Sequence, residues 1–347
     1  MGSRLRGSDR IGVEIYEFWM NNDMQPSSEN KPLVGEKPMP KYIRRSVFAL
    51  SIDDAQLGEK AYASWADAII LDFVKKTGRD WQEDLKSRMP AAIHAAAKGG
   101  AEVFVRINRD NAAAELEATV FTGISGVVLK GVTGPDDIVT AAQCLTALEV
   151  SRGIQSGALE IDVEVDTAGG VWHALEIARA SERFGVFFIN EQALCRNLGM
   201  QSAPTLEFDP LEYIKSQMIT VATSVGGQAL GMSYPLSLTN ENVDDETVKK
   251  AVRRARDTGF KGAVCAHASW IKFCNEGFRP TAEEAAYYVK VIEVFAEGLK
   301  RGMASVPIDG KMIDVPVDLR AKLYLKWANR VQARDDAKAK AHEKAAV

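Results

Sequence analysis

Charged and polar residues stand where short apolar segments of this sequence end. Arg106 and Asn108 close one such segment, Asp166 follows a second, and Glu191 and His267 follow two others. An arginine can hold an anion through paired hydrogen bonds, and carboxylates can bind a divalent cation or transfer a proton. If the segments are neighbouring parallel strands, these residues meet at one edge and predict a site for an anionic ligand.

The elements that would position these residues are eight apolar runs alternating with longer amphipathic ones. Continuous apolar runs without period-two alternation indicate strands buried on both faces, as in a parallel sheet. The predicted strands are 46–51, 67–72, 102–107, 126–130, 159–165, 186–190, 228–233 and 263–267. The predicted helices are 54–65, 81–98, 112–122, 136–152, 169–184, 210–225, 244–258 and 281–299. Eight such repeats predict an α/β fold, a (β/α)8 TIM barrel.

The rival arrangement is a doubly wound open sheet, which would place a glycine-rich phosphate loop after its first strand. The first strand here runs into Ser51-Ile52-Asp53-Asp54, so no such loop is present. The barrel is expected to occupy residues 43–300. Residues 1–42, which are punctuated by prolines, are predicted to be an N-terminal extension. Residues 301–347 are predicted to form a C-terminal lid segment followed by a helix.

Composition excludes several classes of protein. The chain has 347 residues, of which 43 are basic and 47 acidic, so its formal charge of −4 does not favour a nucleic-acid partner. No apolar run approaches the length of about 18 residues that predicts a membrane span. The four cysteines have no metal-type spacing, which predicts reduced thiols and a cytoplasmic location.

Several segments match motifs of one enzyme family. Short matches occur at Arg44–Phe48, Ala66–Asp72, Val105–Asn108, Gly126–Lys130 and Gly259–His267. The most specific match is the run Asp309-Gly310-Lys311-Met312-Ile313-Asp314-Val315-Pro316. From about residue 43 to 330, the chain resembles the citrate lyase β-subunit-like enzymes of the HpcH/HpaI aldolase superfamily, which includes malyl-CoA and citramalyl-CoA lyases.

The resemblance implies roles for particular residues. Arg106 would bind the substrate's carboxylate or carbonyl, and Asp166 would be one of two carboxylate ligands of a Mg²⁺ ion. Asp314 would reach in from a neighbouring subunit to transfer a proton, which implies a homo-oligomer, a trimer or a hexamer. The substrate would be an acyl-CoA or a related hydroxy acid. We also expect Ser51 and Asn108 to contact the substrate.

The chain departs from the family pattern at the metal site. Where the family has its second metal-binding Asp, this chain has Ala193. Where the family has an acidic residue after the second strand, this chain has Lys75. Alanine cannot bind a cation, so metal binding should weaken unless another group compensates. Glu191 could reach the vacated position if the segment is extended. Alternatively, Lys75 could supply positive charge at the mouth, and the sequence does not choose between the two.

These residues favour a carbon–carbon lyase of the aldolase type. It would cleave a 3-hydroxyacyl-CoA or related hydroxy acid by retro-Claisen or retro-aldol chemistry through a stabilised enolate. Two alternatives remain open: hydrolysis of an acyl-CoA thioester at the same site, and a non-catalytic barrel subunit that has lost a metal ligand.

Structural alternatives exist for the single residues as well. Arg106 could simply pair with a neighbouring carboxylate, and Asp166 could be a helix N-cap. The same N-cap alternative applies to Asp314 at the terminal helix. His267, which we expect to contact the substrate, could instead be a packed histidine at a strand end.

Overall fold

The computed structural model of the protein describes residues 43–73, 80–201, 208–231 and 243–345. Eight parallel strands form one sheet in the order β7-β6-β5-β4-β3-β2-β1-β8. They are β1 Ser46–Ser51, β2 Ala68–Asp72, β3 Glu102–Asn108, β4 Gly126–Lys130, β5 Glu160–Val165, β6 Phe184–Ile189, β7 Gln228–Leu230 and β8 Ala263–Cys265.

The two ends of this sheet approach each other. The backbone N–H of Gly231 donates to the carbonyl of Gly262 at 3.1 Å, and that of Lys261 donates to Ala229 at 3.4 Å. These two bonds join the segments of β7 and β8, and helices lie between the successive strands. The predicted (β/α)8 barrel is therefore confirmed.

The helices of the barrel have from 5 to 17 residues. They are α1 Leu57–Ser64, α2 Trp81–Ala97, α3 Ala112–Thr119, α4 Pro135–Ser151, α5 Ala168–Trp172, α6 Ala174–Arg179, α7 Glu191–Asn197, α8 Glu212–Ser224, α9 Asp245–Thr258 and α10 Ala268–Gly277. Beyond them lie α11 Ala282–Lys300, the antiparallel pair β9 Val306–Ile308 and β10 Lys311–Ile313, and α12 Val315–Ala345. Within the described ranges, none of the helices has the length and apolar composition that crossing a bilayer requires.

The register of the strands brings their carboxyl ends to one edge. Ser51 lies beside Asp72, and Asn108 lies beside Lys130. Since side chains alternate along a strand, the residues two positions earlier point the same way, into the barrel. The interior below this edge is filled by apolar side chains such as Phe104. The charged strand-end residues therefore form the mouth of a packed barrel.

The opposite, N-terminal end of the barrel interior holds a buried ion cluster. Arg44 is 1% exposed, and its guanidinium lies 3.0 Å from Glu102 and 2.7 Å from Glu160. Asp162 lies 3.6 Å from the same guanidinium. Burial, reinforced by the charge of Glu160, raises the pKa of the Asp162 carboxyl well above its usual range. This end of a TIM barrel contributes to stability, in contrast to the mouth.

Three helical segments differ from the sequence-based prediction. The helix α7, Glu191–Asn197, was not predicted. The helix expected over 169–184 is two helices, α5 and α6, separated at His173. The helix that follows β8 is α10, which was not predicted, and the helix expected over 281–299 lies outside the barrel as α11. The α10 helix escaped prediction because its ten residues show no N-cap signal: His267 makes no side-chain capping bond.

The chain forms two compact units. Residues 279–336 with Ile43 form one of them, whereas the sequence-based boundary of the barrel lies at 300. In this unit, Phe295 of α11 shares an apolar core with the β9–β10 hairpin and Leu325 of α12. The barrel unit comprises the described residues of 44–278 and 337–345. The predicted N-terminal extension, 1–42, lies outside the described residues.

The end of α12 is attached to the barrel unit by charge. Lys338 is 2% exposed and lies 2.5 Å from Asp67, which is fully buried and also pairs with Arg45 at 2.8 Å. His342 stacks on Trp65 with ring centroids 3.7 Å apart. Residues 337–345 therefore belong to the barrel's structure.

Candidate active site

Arg106 is the central cation of the barrel mouth. It lies on β3, and its Nη1 donates to both oxygens of Asp72 on β2, at 2.7 and 3.0 Å. Its Nε lies 2.8 Å from Oε2 of Glu164 on β5. The pairing with neighbouring carboxylates that was considered as an alternative is thus present. Among the described residues, no protein oxygen accepts from Nη2, so its hydrogens face a ligand.

Glu164 is held from two sides. Its side chain is 8% exposed, and its Oε1 accepts a hydrogen bond of 2.6 Å from Nδ2 of Asn190. Asn190 follows β6 and is the N-cap of α7, where its Oδ1 accepts from the N–H of Ala193. Glu164 therefore connects the cap of a helix to the guanidinium of Arg106.

Two further carboxyl groups at the mouth have perturbed acidities. Burial raises the pKa of Asp72, and the charge of Glu164 adds to this effect while that of Arg106 opposes it. Burial also raises the pKa of Asp166, again with a contribution from Glu164, while the N–H of Gly131 opposes the shift. A carboxyl with a raised pKa is better matched to accepting a proton near neutral pH. Perturbed acidities of this kind are typical of functional sites.

A cavity of about 160 Å³ opens beside these groups. Its polar lining comprises Arg106, Glu164, Asn190 and Glu191, and its apolar walls comprise Phe188, Ile189, Val264 and Ala266. One water needs about 10–15 Å³ by the same measure, so the space suits a small organic acid. Arg106 is the cation of this lining and Glu164 and Glu191 are its acids, so an anionic group would bind at the guanidinium.

The other side chains that we expect to contact the substrate each contact a residue nearby in the sequence. Ser51 Oγ accepts from the N–H of Asp53 at 3.1 Å, and Asn108 Oδ1 accepts from the N–H of Asp110 at 3.2 Å. His267 meets the ring of Trp270 edge-on, with centroids 4.8 Å apart. Its Nε2 is buried and has no hydrogen-bond partner among the described residues. Their contacts with substrate stay predictions.

Lys75 lies outside the described residues, so its predicted role at the mouth stays a prediction. Asp166 is not the helix N-cap considered as an alternative, because Thr167 caps α5 through its hydroxyl. Both carboxylate oxygens of Asp166 instead lie 3.1 Å from the N–H of Gly131.

The described residues do not supply the two-carboxylate metal site that the resemblance implies. Position 193 is alanine, on the first turn of α7. Glu191, predicted to compensate, is 2% exposed, and its carboxylate lies 2.5 Å from the ammonium of Lys215. In the part of the chain that the structure describes, no three Asp, Glu, His or Cys side chains are grouped to hold a metal ion. We therefore derive no catalytic step through Mg²⁺, and Glu191 as a ligand stays a prediction.

Asp314 lies in the other unit, directly before α12. Its Oδ1 accepts from the N–H of Val317 at 3.2 Å, and its backbone carbonyl accepts from the N–H of Asp318 at 3.0 Å. Asp314 is therefore the N-cap of α12, as the structural alternative proposed. Its side chain is exposed, and its role in proton transfer stays a prediction.

Three residues of this mouth, Asp72, Glu164 and Asn190, lie at the ends of predicted strands but were assigned no catalytic, substrate-binding or metal-binding role from the sequence. Glu164 precedes Asp166 by two positions, so strand periodicity places both on the same side of β5, and this signal was available. Asp72 is the last residue of β2, and its position at the end of an apolar run was likewise visible in the sequence. The two hydrogen bonds of Asn190 depend on the packing of β6 against β5, and no sequence pattern reports them.

Fold and site together define a (β/α)8 barrel with a charged mouth suited to a small anion. A family model described as HpcH/HpaI aldolase/citrate lyase matches residues 45–268. The chain belongs to this family.

Known proteins resemble the chain over most of its length. Citrate lyase subunit beta of Haemophilus influenzae is 23% identical, with 82% of this chain and 97% of that protein covered. L-malyl-CoA/beta-methylmalyl-CoA lyase of Cereibacter sphaeroides is 22% identical, with 80% of this chain and 92% of that protein covered. The crystal structure of CitE from Mycobacterium tuberculosis, in complex with magnesium, acetoacetate and coenzyme A, superposes with a TM-score of 0.57. That chain is 21% identical, with 83% of this chain and 99% of that chain covered, and it supports the fold.

Proposed function

We propose that the protein is a carbon–carbon lyase that cleaves a 3-hydroxyacyl-CoA or a related 3-hydroxy acid. Family membership supports this class, because curated relatives are citrate lyase beta subunits and malyl-CoA lyases. The observation that carries the proposal is Arg106, which lines the cavity while Asp72 accepts hydrogen bonds from its Nη1 and Glu164 forms an ion pair beside its Nε. That arrangement leaves an oriented cation for the substrate.

The substrate's acid group would enter the cavity and pair with Arg106. Nη2 can donate a charge-assisted hydrogen bond to that group, and such bonds are stronger than neutral ones. A volume of about 160 Å³ admits a small acyl group but not the whole of coenzyme A. We infer that the coenzyme A portion extends out of the cavity.

Cleavage requires the hydroxyl proton to leave while the neighbouring carbon–carbon bond breaks. The hydroxyl carbon becomes a carbonyl, and the electron pair of the broken bond passes to the thioester as an enolate. The enolate carbon then takes up a proton to give acetyl-CoA or its analogue. The charge of Arg106 would stabilise the negative charge that develops, as oriented donors do in other enzymes.

The proton would be carried by Asp314 of a neighbouring subunit in a homo-oligomer, a trimer or a hexamer. Mixing Arg106→Ala with Asp314→Asn tests this, since asparagine preserves the N-cap of α12. Each variant should be inactive alone, and the mixture should recover activity after subunit exchange. No recovery despite proven exchange would contradict shared sites. Full activity of Asp314→Asn would assign the proton step to the barrel's own carboxyls, with Asp72 the first to test.

The function is tested with malyl-CoA, citramalyl-CoA and citryl-CoA as substrates. A keto acid or aldehyde together with a shorter acyl-CoA shows lyase activity. Free coenzyme A with an intact hydroxy acid would instead show a thioester hydrolase. No turnover of any of the three, by protein that is folded and oligomeric, would contradict the proposal and favour a non-catalytic barrel.

A further inference from the structure

Asn190 makes two hydrogen bonds that require both ends of its amide. Its Oδ1 accepts from the backbone N–H of Ala193 at 3.0 Å, and its Nδ2 donates to Oε1 of Glu164 at 2.6 Å. A backbone N–H can only donate, so the amide oxygen must face Ala193 and the amide nitrogen must face Glu164. The same side chain therefore begins α7 and holds a buried carboxylate.

The other oxygen of that carboxylate reaches the central cation of the mouth. Oε2 of Glu164 lies 2.8 Å from Nε of Arg106, and Asp72 holds Nη1 of the same guanidinium at 2.7 Å. The contact between Nε and Oε2 is an ion pair that lacks the alignment of a hydrogen bond, so Asp72 supplies the directional bonds to the planar guanidinium and Glu164 attracts its Nε edge by charge. Glu164 keeps this position only while something holds it, and Asn190 does so.

We propose that Asn190 is a positioning residue, which orients Arg106 toward the substrate's carboxylate by holding Glu164 in place. This inference rests on the proposed function, in which Arg106 binds that carboxylate. Asn190 does not need to touch the substrate for this role. A small displacement of binding groups can lower activity strongly, so a positioning bond of this kind has a measurable effect.

The choice of asparagine over aspartate at position 190 is explained by charge. Aspartate caps a helix as well as asparagine does, but it cannot donate to Glu164 unless it is protonated. The charged groups around Glu164 are Arg106, Asp72 and Asp166. A carboxylate at 190 would add a further negative charge in direct contact, and the two carboxyl groups would share one proton.

The variant Asn190→Asp should therefore depend on pH in a way that a purely structural residue would not. At low pH the shared proton replaces the amide donor and keeps Glu164 in place. At high pH the proton is lost, the two carboxylates repel, and Glu164 releases Arg106. Asn190→Ser is the matched comparison, because serine keeps the cap but is too short to reach Glu164 at any pH.

The experiment measures acetoacetate binding by calorimetry, with wild type, Asn190→Asp and Asn190→Ser at about pH 5.5 and about pH 8. Wild type at both pH values corrects for titration of Asp72 and Asp166. We expect Asn190→Ser to bind about tenfold or more weakly at both pH values, the effect typical of one lost bond to a charged group. Asn190→Asp should bind within about threefold of wild type at the lower pH and about tenfold or more weakly at the higher one. Thermal unfolding confirms that all three are folded.

A second readout needs no ligand. In protein labelled with ¹⁵N-arginine, the Nε–H resonance of Arg106 is assigned by its absence from Arg106→Lys. It should shift with pH in Asn190→Asp by more than in wild type. Unchanged binding and an unchanged resonance in both variants would overturn the inference. If wild type binds no acetoacetate, the resonance alone decides the inference, and the thioester substrates decide the proposed function separately.

Discussion

Replacing Arg106 by lysine should remove most of the activity while the protein remains folded. The guanidinium contacts Asp72 and Glu164 at once and still has Nη2 for a ligand. An ammonium is a single point charge that cannot satisfy two acids and a carboxylate in fixed directions. At least one charge-assisted bond to the substrate is then lost, which costs about 1.5–3 kcal/mol. Since about 1.36 kcal/mol is a factor of ten, kcat/KM should fall by about 10- to 150-fold.

The assay measures kcat/KM for the cleaved thioester and the dissociation constant of acetoacetate. Arg183→Lys is the matched control, because Arg183 pairs with the buried Glu149 at 2.6 Å and directly precedes β6, at the N-terminal end of the strand. The control should retain wild-type kinetics. Activity of Arg106→Lys within about twofold of wild type would refute the reasoning, because even the weakest charged bond is worth more than that.

Three further predictions concern charge elsewhere in the barrel unit. Ala193→Asp restores a second carboxylate, so Mg²⁺ affinity by calorimetry should rise by about tenfold or more; an unchanged affinity would show that position 193 is not at the metal site. Lys338→Met removes a partner of the buried Asp67 and should lower the free energy of unfolding in urea by about 3 kcal/mol. The exposed Lys340→Met should change it by less than about 0.5 kcal/mol, and equal effects would contradict this account. The raised pKa of Asp162 makes the wild-type fold lose stability as pH rises above about 4, because the unfolded chain gives up this proton more readily than the folded one. Asp162→Asn has no proton to lose there, so its free energy of unfolding should rise relative to wild type over the same range. A difference that is constant from about pH 4 to about pH 8 would contradict this prediction.

The barrel could be predicted from the sequence because its strands are strong local signals. Seven of the eight predicted strands begin within one residue of the observed start, among them 46–51 and 126–130, because a strand buried on both faces is an uninterrupted apolar run. The α10 helix could not be predicted, because it has only ten residues and its N-cap residue, His267, makes no capping hydrogen bond. The division of the chain near residue 278 depends on long-range packing, which a helix pattern such as that of α11 does not report.

The candidate site was predictable in position and only partly in its contacts. Strand ends of a parallel barrel meet at the mouth, and this rule places Arg106 and Asp166 there. Contacts between strands are a different matter, because they depend on register and side-chain reach. Glu191 illustrates this: its spacing allowed contact with the metal site, yet its carboxylate pairs with Lys215, which is 24 residues later on α8. Asn190 and Glu164 meet for the same reason.

The most direct test of the proposed carbon–carbon cleavage is the mass of the acyl-CoA product formed in D₂O from malyl-CoA, citramalyl-CoA or citryl-CoA. A lyase passes through an enolate whose carbon takes a deuteron from solvent, so the acetyl-CoA product should carry one deuterium and appear together with a keto acid or aldehyde. Arg106→Lys should form this labelled product more slowly by about 10- to 150-fold. Free coenzyme A with an undeuterated hydroxy acid, or no product from any of the three thioesters, would contradict the account.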